Sequence, residues 1–173
     1  FCLAAVKRIF ANLPRVYADG SDAQARSEMA LAAYEAGVGI ANSSVTVVHG
    51  LSRPIGALFH VAHGISNAML LAKTLAYIAD GALDRFAALG RAIGVATDAD
   101  SDAAATEKFL AAVDALCATC KVPTLAEYGI DRDAFFARMD KMATDALASG
   151  SPANTRKALD KDDLLRIYES LWD

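Results

Sequence analysis

The chain has 173 residues, 54% of them hydrophobic and 22% charged, with a formal net charge of −4. That is long enough for one domain that buries about 70% of its unfolded surface, and too apolar for a disordered segment. The acidic balance and the absence of a Lys/Arg cluster exclude nucleic acid as the main partner. Charged residues interrupt every apolar run before the roughly 18–20 residues that a membrane-spanning helix needs.

Alanine is abundant and β-branched residues are sparse, which favours helix over strand. Apolar residues at 3, 6, 9, 10 and 13 follow helical spacing and predict a first helix that stops near Pro14. The chain starts inside that spacing without Met and lacks the order of a secretory signal, so the expectation is that more sequence precedes Phe1. Asp19-Gly20 marks a turn, and Ser21 or Asp22 supplies the cap of a second helix, Ala23 to about Asn42. Spacings of three and four there predict a buried face of Met29, Ala32, Ala33, Ala36 and Ile40. Gly37 and Gly39 are costly in a helix interior, which points to close approach of a neighbour.

Asn42-Ser43-Ser44 is a polar break, after which Val45 to Gly50 leads into a segment that holds all three histidines: His49, His60 and His63. A further helix is expected over Ser66–Ile78, apolar on most faces and ended by Asp80-Gly81. Another covers Leu83–Ile93 and is closed by Gly94. The acidic loop at 98–102 offers N-caps for a helix from Ala103 to about Cys120. It lacks the Gly and terminal Glu of a calcium loop. Cys117 and Cys120 form a CxxC without a second pair or a nearby histidine, and read as ordinary thiols on the last turns of a helix in a reducing cytosol. Lys121 to Thr124 breaks the helix, the stretch Ile130-Asp131-Arg132-Asp133 starts the next one, to about Ala148 and closed by Gly150, and Asp160 caps a last short helix to Trp172. No alternating pattern long enough for a sheet occurs. The fold class expected is all-α, a multi-helix orthogonal bundle of seven or eight helices in one domain, 1–173.

The histidine segment is where the chemistry is expected. Imidazole is a frequent ligand of transition metals and the usual proton carrier near neutral pH. On one unbroken helix His49 and His63 would stand about 20 Å apart at about 1.5 Å per residue, whereas two ligands of one ion must each reach it within about 2.1 Å. A shared metal therefore requires the chain to fold back, and Pro54, Gly56 and Gly64 are residues that permit this. Spacing alone leaves open a second arrangement, two core imidazoles satisfied by backbone carbonyls. His60 reads either as an exposed loop histidine or as a pocket residue beside Phe59.

The text Val48-His49-Gly50 … Arg53-Pro54-Ile55-Gly56 … His63-Gly64-Ile65-Ser66-Asn67-Ala68-Met69-Leu70-Leu71 closely resembles the signature of the iron-containing (group III) alcohol dehydrogenases. Ala25 to Asn42 is similar to the helix that precedes this signature, and Ser151 to Tyr168 to the family's terminal helix. The resemblance implies the helical, metal-binding C-terminal domain of a dehydroquinate synthase-like two-domain enzyme, with the nucleotide-binding domain lying before Phe1. It implies Fe²⁺ or Zn²⁺ held by His49 and His63 together with an Asp and a His from that preceding part, and NAD or NADP bound mainly there. The expected activity is interconversion of a small alcohol with its aldehyde or ketone, in a cytoplasmic homo-oligomer such as a dimer. Arg53 stands where many members carry histidine. Being always charged, it cannot relay a proton at neutral pH but can hold a carboxylate bidentately, which implies a hydroxy-acid or aldehyde-acid substrate. It is the candidate catalytic residue of this chain, with Phe59 and His60 as the substrate-binding side; a plain surface charge is the other reading of Arg53. The other class left open is a non-catalytic helical interaction domain or a degenerate fragment.

Overall fold

The structure, a computed structural model, describes residues 1–172 and is all-α: among the described residues there are eight α-helices and no strand. In chain order they are α1 (Cys2–Ala18), α2 (Ala23–Ser43), α3 (Val47–Phe59), α4 (His63–Ile78), α5 (Leu83–Ala92), α6 (Asp102–Thr119), α7 (Arg132–Ala148) and α8 (Lys161–Ser170), with single 3₁₀ turns at Ala79–Gly81 and Pro152–Asn154. No helix among the described residues is long and apolar enough to cross a membrane. The chain divides into two compact units, the first formed by Phe1–Ser44 with Ala82–Cys120, the second by Val45–Gly81 with the residues from Lys121 onward.

The first unit holds α1, α2, α5 and α6. Asp22 caps α2 by accepting from the Ala25 amide, and Ser101 caps α6 by accepting from the Ala104 amide, each satisfying a backbone N–H that the helix start leaves open. Pro14 lies inside α1, which continues to Ala18 rather than stopping where the proline suggested. The buried residues of α2 are Ala25, Ala32 and Glu35. Ala33 and Ile40, expected inside, are exposed, while Met29 and Ala36 are half-buried. The reason is a charge: Arg8 of α1 donates to Glu35 at 3.1 Å and also pairs with Glu28, so the polar side of α2 is the side that meets α1. Close approach needs glycine at Gly90, where an added Cβ would stand 2.6 Å from the Ala105 carbonyl oxygen, so α5 and α6 pack backbone against backbone there. Phe109 fills the space beside them, its ring 5.9 Å from Phe86 and 6.0 Å from Phe10.

The second unit holds α3, α4, α7 and α8 around Leu51, Ile55, Leu70, Phe135, Leu164 and Tyr168, all essentially without exposure. Phe135 is its aromatic centre, with Phe59 stacked at 5.6 Å, Trp172 at 5.5 Å and Tyr168 meeting it edge-on at 5.7 Å. Asp131 caps α7, and Asp160 with Asp163 forms a reciprocal capping box at the start of α8. Tyr77, near the end of α4, donates to Asp163 at 2.6 Å, and Lys157 ties the loop before α8 to Asp80 and to the Tyr77 carbonyl. These contacts hold α4 and α8 together beneath α3, the helix that carries His49 and Arg53.

Candidate functional site

The histidine segment lies wholly in the second unit and is two helices with a short return between them. Pro54 and Gly56 sit inside α3, and Gly64 lies in the first turn of α4, so none of them makes the bend. The reversal is at 60–62, with His60 in the left-handed conformation at φ 55°. Histidine is among the few side chains enriched there. The return segment runs back alongside α3: a Cβ at Gly56 would stand 3.2 Å from the Val61 carbonyl oxygen. Gly56 thus serves the fold-back by leaving room for it rather than by bending.

This path brings the first turn of α4 beside the first turn of α3. The imidazoles of His49 and His63 lie 5.4 Å apart, centroid to centroid, with their planes inclined at 52°. His49 is half-buried and His63 exposed. Burial, the neighbouring His63 and then the charge of Arg53 push the His49 pKa below its usual value, so the ring is neutral at pH 7 and carries an available lone pair. Asn67, one turn along α4, donates to the His63 carbonyl at 2.9 Å, and its amide nitrogen lies 3.1 Å from the His63 Nε2. Among the described residues no group of three or more His, Cys, Asp or Glu side chains is arranged to hold a metal ion. The imidazole pair therefore supplies two donors.

Arg53 follows His49 by one helical turn on the same face of α3. Its Nη1 donates to the Ser151 hydroxyl at 3.1 Å. It borders a cavity of about 230 Å³ lined by Gly50, Arg53, Pro54, Ala57, Asp145 and Ser149. Phe59, at the other end of α3, lies between Phe135 and the guanidinium of Arg138, whose Cζ is 5.9 Å from the Phe59 ring centre. His60 is exposed at the turn. Three further residues shape the site. Asn67 against His63 belongs to the segment that carries the resemblance; the other two, without a signal of their own, are Ser151 against Arg53 and Pro152, which packs so closely on Gly50 that an added Cβ would lie 3.0 Å from its Cδ. The Cys117–Cys120 pair lies in the first unit with both thiols free, and burial raises both pKa values, which keeps them protonated.

The sequence description of the C-terminal part of the Fe-containing alcohol dehydrogenase family matches residues 1–172. Over 172 residues the chain is 34% identical to long-chain-alcohol dehydrogenase 1 of Geobacillus thermodenitrificans, covering 98% of this chain and 42% of that protein. It is 30% identical over 152 residues to lactaldehyde reductase of Escherichia coli K12, covering 87% of this chain and 39% of the other. The crystal structure of a 1,3-propanediol oxidoreductase superposes with a TM-score of 0.91 at 27% identity, over 98% of this chain and 44% of that one. The chain thus spans less than half the length of the relatives it matches.

Proposed function

Because the chain belongs to the iron-containing alcohol dehydrogenase family, we propose that it supplies two metal ligands and part of the substrate wall of an NAD(P)-linked oxidoreductase that interconverts small alcohols, hydroxy acids among them, with their aldehydes or ketones. The observation that carries this reading is the His49–His63 pair. An imidazole that binds an ion at about 2.1 Å has its ring centre roughly 3.2 Å from it, so two rings meeting at a tetrahedral angle have centres about 5.2 Å apart. The 5.4 Å found here fits that requirement. Two neutral imidazoles completed by a carboxylate suit Fe²⁺ or Zn²⁺ and leave a position open for a substrate oxygen.

When bound, such an ion supplies Lewis-acid polarisation of the alcohol or carbonyl oxygen, so that hydride can pass to or from a nicotinamide. The chain's own residues do the rest of what is assigned to this segment. His49 and His63 present ring nitrogens from two helix starts. Arg53 places a permanent positive charge one turn away; it orients an oxygen-bearing substrate and takes no part in proton relay. Phe59 and His60, the expected substrate side, lie at the far end of α3 from His49, Phe59 stacked on Phe135 and His60 exposed at the turn, and neither is assigned a contact with a substrate held at the imidazole pair. The remaining metal ligands and the main NAD(P) contacts are assigned to sequence outside these 173 residues, and the 173-residue piece alone is expected to be inactive.

The test is a screen of alcohols and aldehydes with NAD⁺, NADP⁺ and their reduced forms on the complete gene product, with metal analysis of the purified protein. Turnover together with bound Fe or Zn, both lost in His49→Ala and His63→Ala, supports the reading. Full metal content retained in the His49→Ala, His63→Ala double variant overturns it, as does NAD(P)-linked turnover by the 173-residue piece alone.

A further inference from the structure

The two imidazoles of the candidate site sit in the same local motif, His49-Gly50-Leu51-Ser52 near the start of α3 and His63-Gly64-Ile65-Ser66 at the start of α4. In each, the serine has no exposure and its hydroxyl donates to the histidine carbonyl, at 3.2 Å from Ser52 and 3.0 Å from Ser66. The backbone under both rings is therefore held alike, but the surroundings of the rings differ. His49 is half-buried, with Leu51 fully covered and Pro152 packed on Gly50. His63 is exposed, Ile65 is 38% exposed, and nothing lies within 4 Å of a Cβ added at Gly64. Packing holds the first ring and cannot hold the second.

What His63 has instead is the residue one turn on. Four residues after the histidine stands Arg53 in α3, which turns to Ser151, and Asn67 in α4, which turns back onto the ring. The Asn67 amide nitrogen donates to the His63 carbonyl at 2.9 Å and lies 3.1 Å from Nε2 and 3.4 Å from Nδ1. Its Oδ1 is buried without a donor, yet the reversed amide would set two oxygens 2.9 Å apart, so the nitrogen is the end that faces His63. The two ring nitrogens flank a single carbon, Cε1. An atom almost equally far from both in the ring plane would collide with that carbon, so the amide nitrogen stands over the ring face. The acceptor lone pair of a neutral imidazole lies in the ring plane. A group over the face therefore hinders rotation of the ring and leaves that lone pair open.

We propose that Asn67 is a positioning residue for His63, holding the exposed imidazole beside His49 with its lone pair free for an ion. This rests on the dehydrogenase reading above and adds a residue to its metal site. A ligand already held in its binding rotamer loses less conformational freedom when the ion arrives. His49 gains this from burial, and His63 gains it from Asn67.

Two measurements decide it. In the metal-free 173-residue chain, the His63 χ1 rotamer is read by NMR from three-bond couplings, together with the contact between the Asn67 side-chain amide and the His63 ring. In the complete gene product, Zn²⁺ affinity is measured by competition with a chromophoric chelator. The variants are Asn67→Ala and Asn67→Ser, whose hydroxyl still bonds the His63 carbonyl but cannot reach over the ring. The expected result is one His63 rotamer in the parent and rotamer averaging in both variants, with His49 unchanged. Both variants weaken Zn²⁺ binding by about tenfold to a hundredfold, the range for loss of a group that orients a metal ligand, while the metal-free thermal midpoint stays that of the parent. An averaged His63 rotamer in the metal-free parent overturns the proposal. Zn²⁺ binding lost in His63→Ala but unchanged in both Asn67 variants also overturns it, and leaves the dehydrogenase reading standing. A single His63 rotamer that both variants release, in a gene product whose Zn²⁺ binding does not depend on His63, supports the hold of Asn67 on the ring and removes the dehydrogenase reading.

Discussion

The hydroxyl of Tyr168 donates to the Leu51 carbonyl across 2.8 Å, inside a part of the second unit where neither residue has any exposure. This bond fixes α8 to α3 at a position two residues from His49. Burial pushes the phenol pKa far up, so the hydroxyl stays a donor at every accessible pH. Tyr168→Phe keeps the ring packing against Phe135 and removes only the hydrogen bond. The expected cost is about 1–2 kcal/mol, the usual range for a buried polar partner lost. Trp172, the only tryptophan and 5.5 Å from Phe135, reports the loss as a lower denaturant midpoint in its fluorescence.

The imidazole pair makes a separate prediction for the 173-residue chain. Binding of Zn²⁺ or Co²⁺ to two histidines stabilises the folded state by mass action, about 2.7 kcal/mol when free metal is a hundredfold above the dissociation constant. The thermal midpoint should rise with metal concentration at pH 7.5. The rise should shrink as pH falls and the imidazoles protonate, since a protonated ring has no lone pair to give. His49→Ala and His63→Ala should each remove most of it, and His60→Ala should not. Equal effects of all three substitutions would point to non-specific surface binding.

Two glycines in helix interiors are expected to respond with opposite sign. At Gly90 an added Cβ meets the Ala105 backbone at 2.6 Å and Phe109 at 3.3 Å, and backbone cannot swing aside as a side-chain tip can. Gly90→Ala should destabilise by about 1–3 kcal/mol despite its better helix propensity, because α5 and α6 must separate. At Gly37 nothing lies within 4 Å of the added atom. Gly37→Ala should stabilise by up to about 1 kcal/mol. Thermal unfolding followed by circular dichroism compares the pair directly.

Those two glycines also mark what the sequence could and could not reveal. Residues that act on their own local backbone are legible: Asp160 caps the helix it is expected to cap, Asp22, Ser101 and Asp131 each come from the short stretches expected to start a helix, and Gly94 and Gly150 end helices with positive φ. Residues whose role depends on a distant partner are not. Gly37 and Gly39 look alike in the sequence, yet only Gly39 has a neighbour, the Cys2 sulfur. The buried face of α2 departs from its apolar periodicity because that pattern takes no account of Arg8, 27 residues from Glu35 and bonded to it. At the site, the two histidines at helix starts stood out by composition. The bend did not, since Pro54 and Gly56 offered conspicuous alternatives while the left-handed residue is His60. Ser151 matters only through what folds against it, Arg53 from 98 residues away, and no local pattern announces that.

The 97–102 loop of the first unit gives a pH dependence whose sign follows from its contacts. Asp100 accepts from Lys108 at 2.6 Å, from the Thr97 amide at 2.8 Å and from the Thr97 hydroxyl at 3.2 Å. The Lys108 bond chiefly, and then the Thr97 amide, hold its pKa down at about 2 against an ordinary 3.8. A carboxylate with a lowered folded pKa binds protons more readily when unfolded. Its contribution is therefore complete above pH 3.8 and is lost as pH falls towards about 2. Asp100→Asn cannot titrate and offers Lys108 no charge. The variant should unfold at a lower temperature than the parent at pH 5, and the gap between them should close as the pH is lowered from about 4 to about 2. Added salt should narrow the gap at pH 5 too, because the ion pair lies at the surface. A gap that stays constant from pH 5 down to pH 2 would assign the effect of the substitution to loop packing rather than to charge.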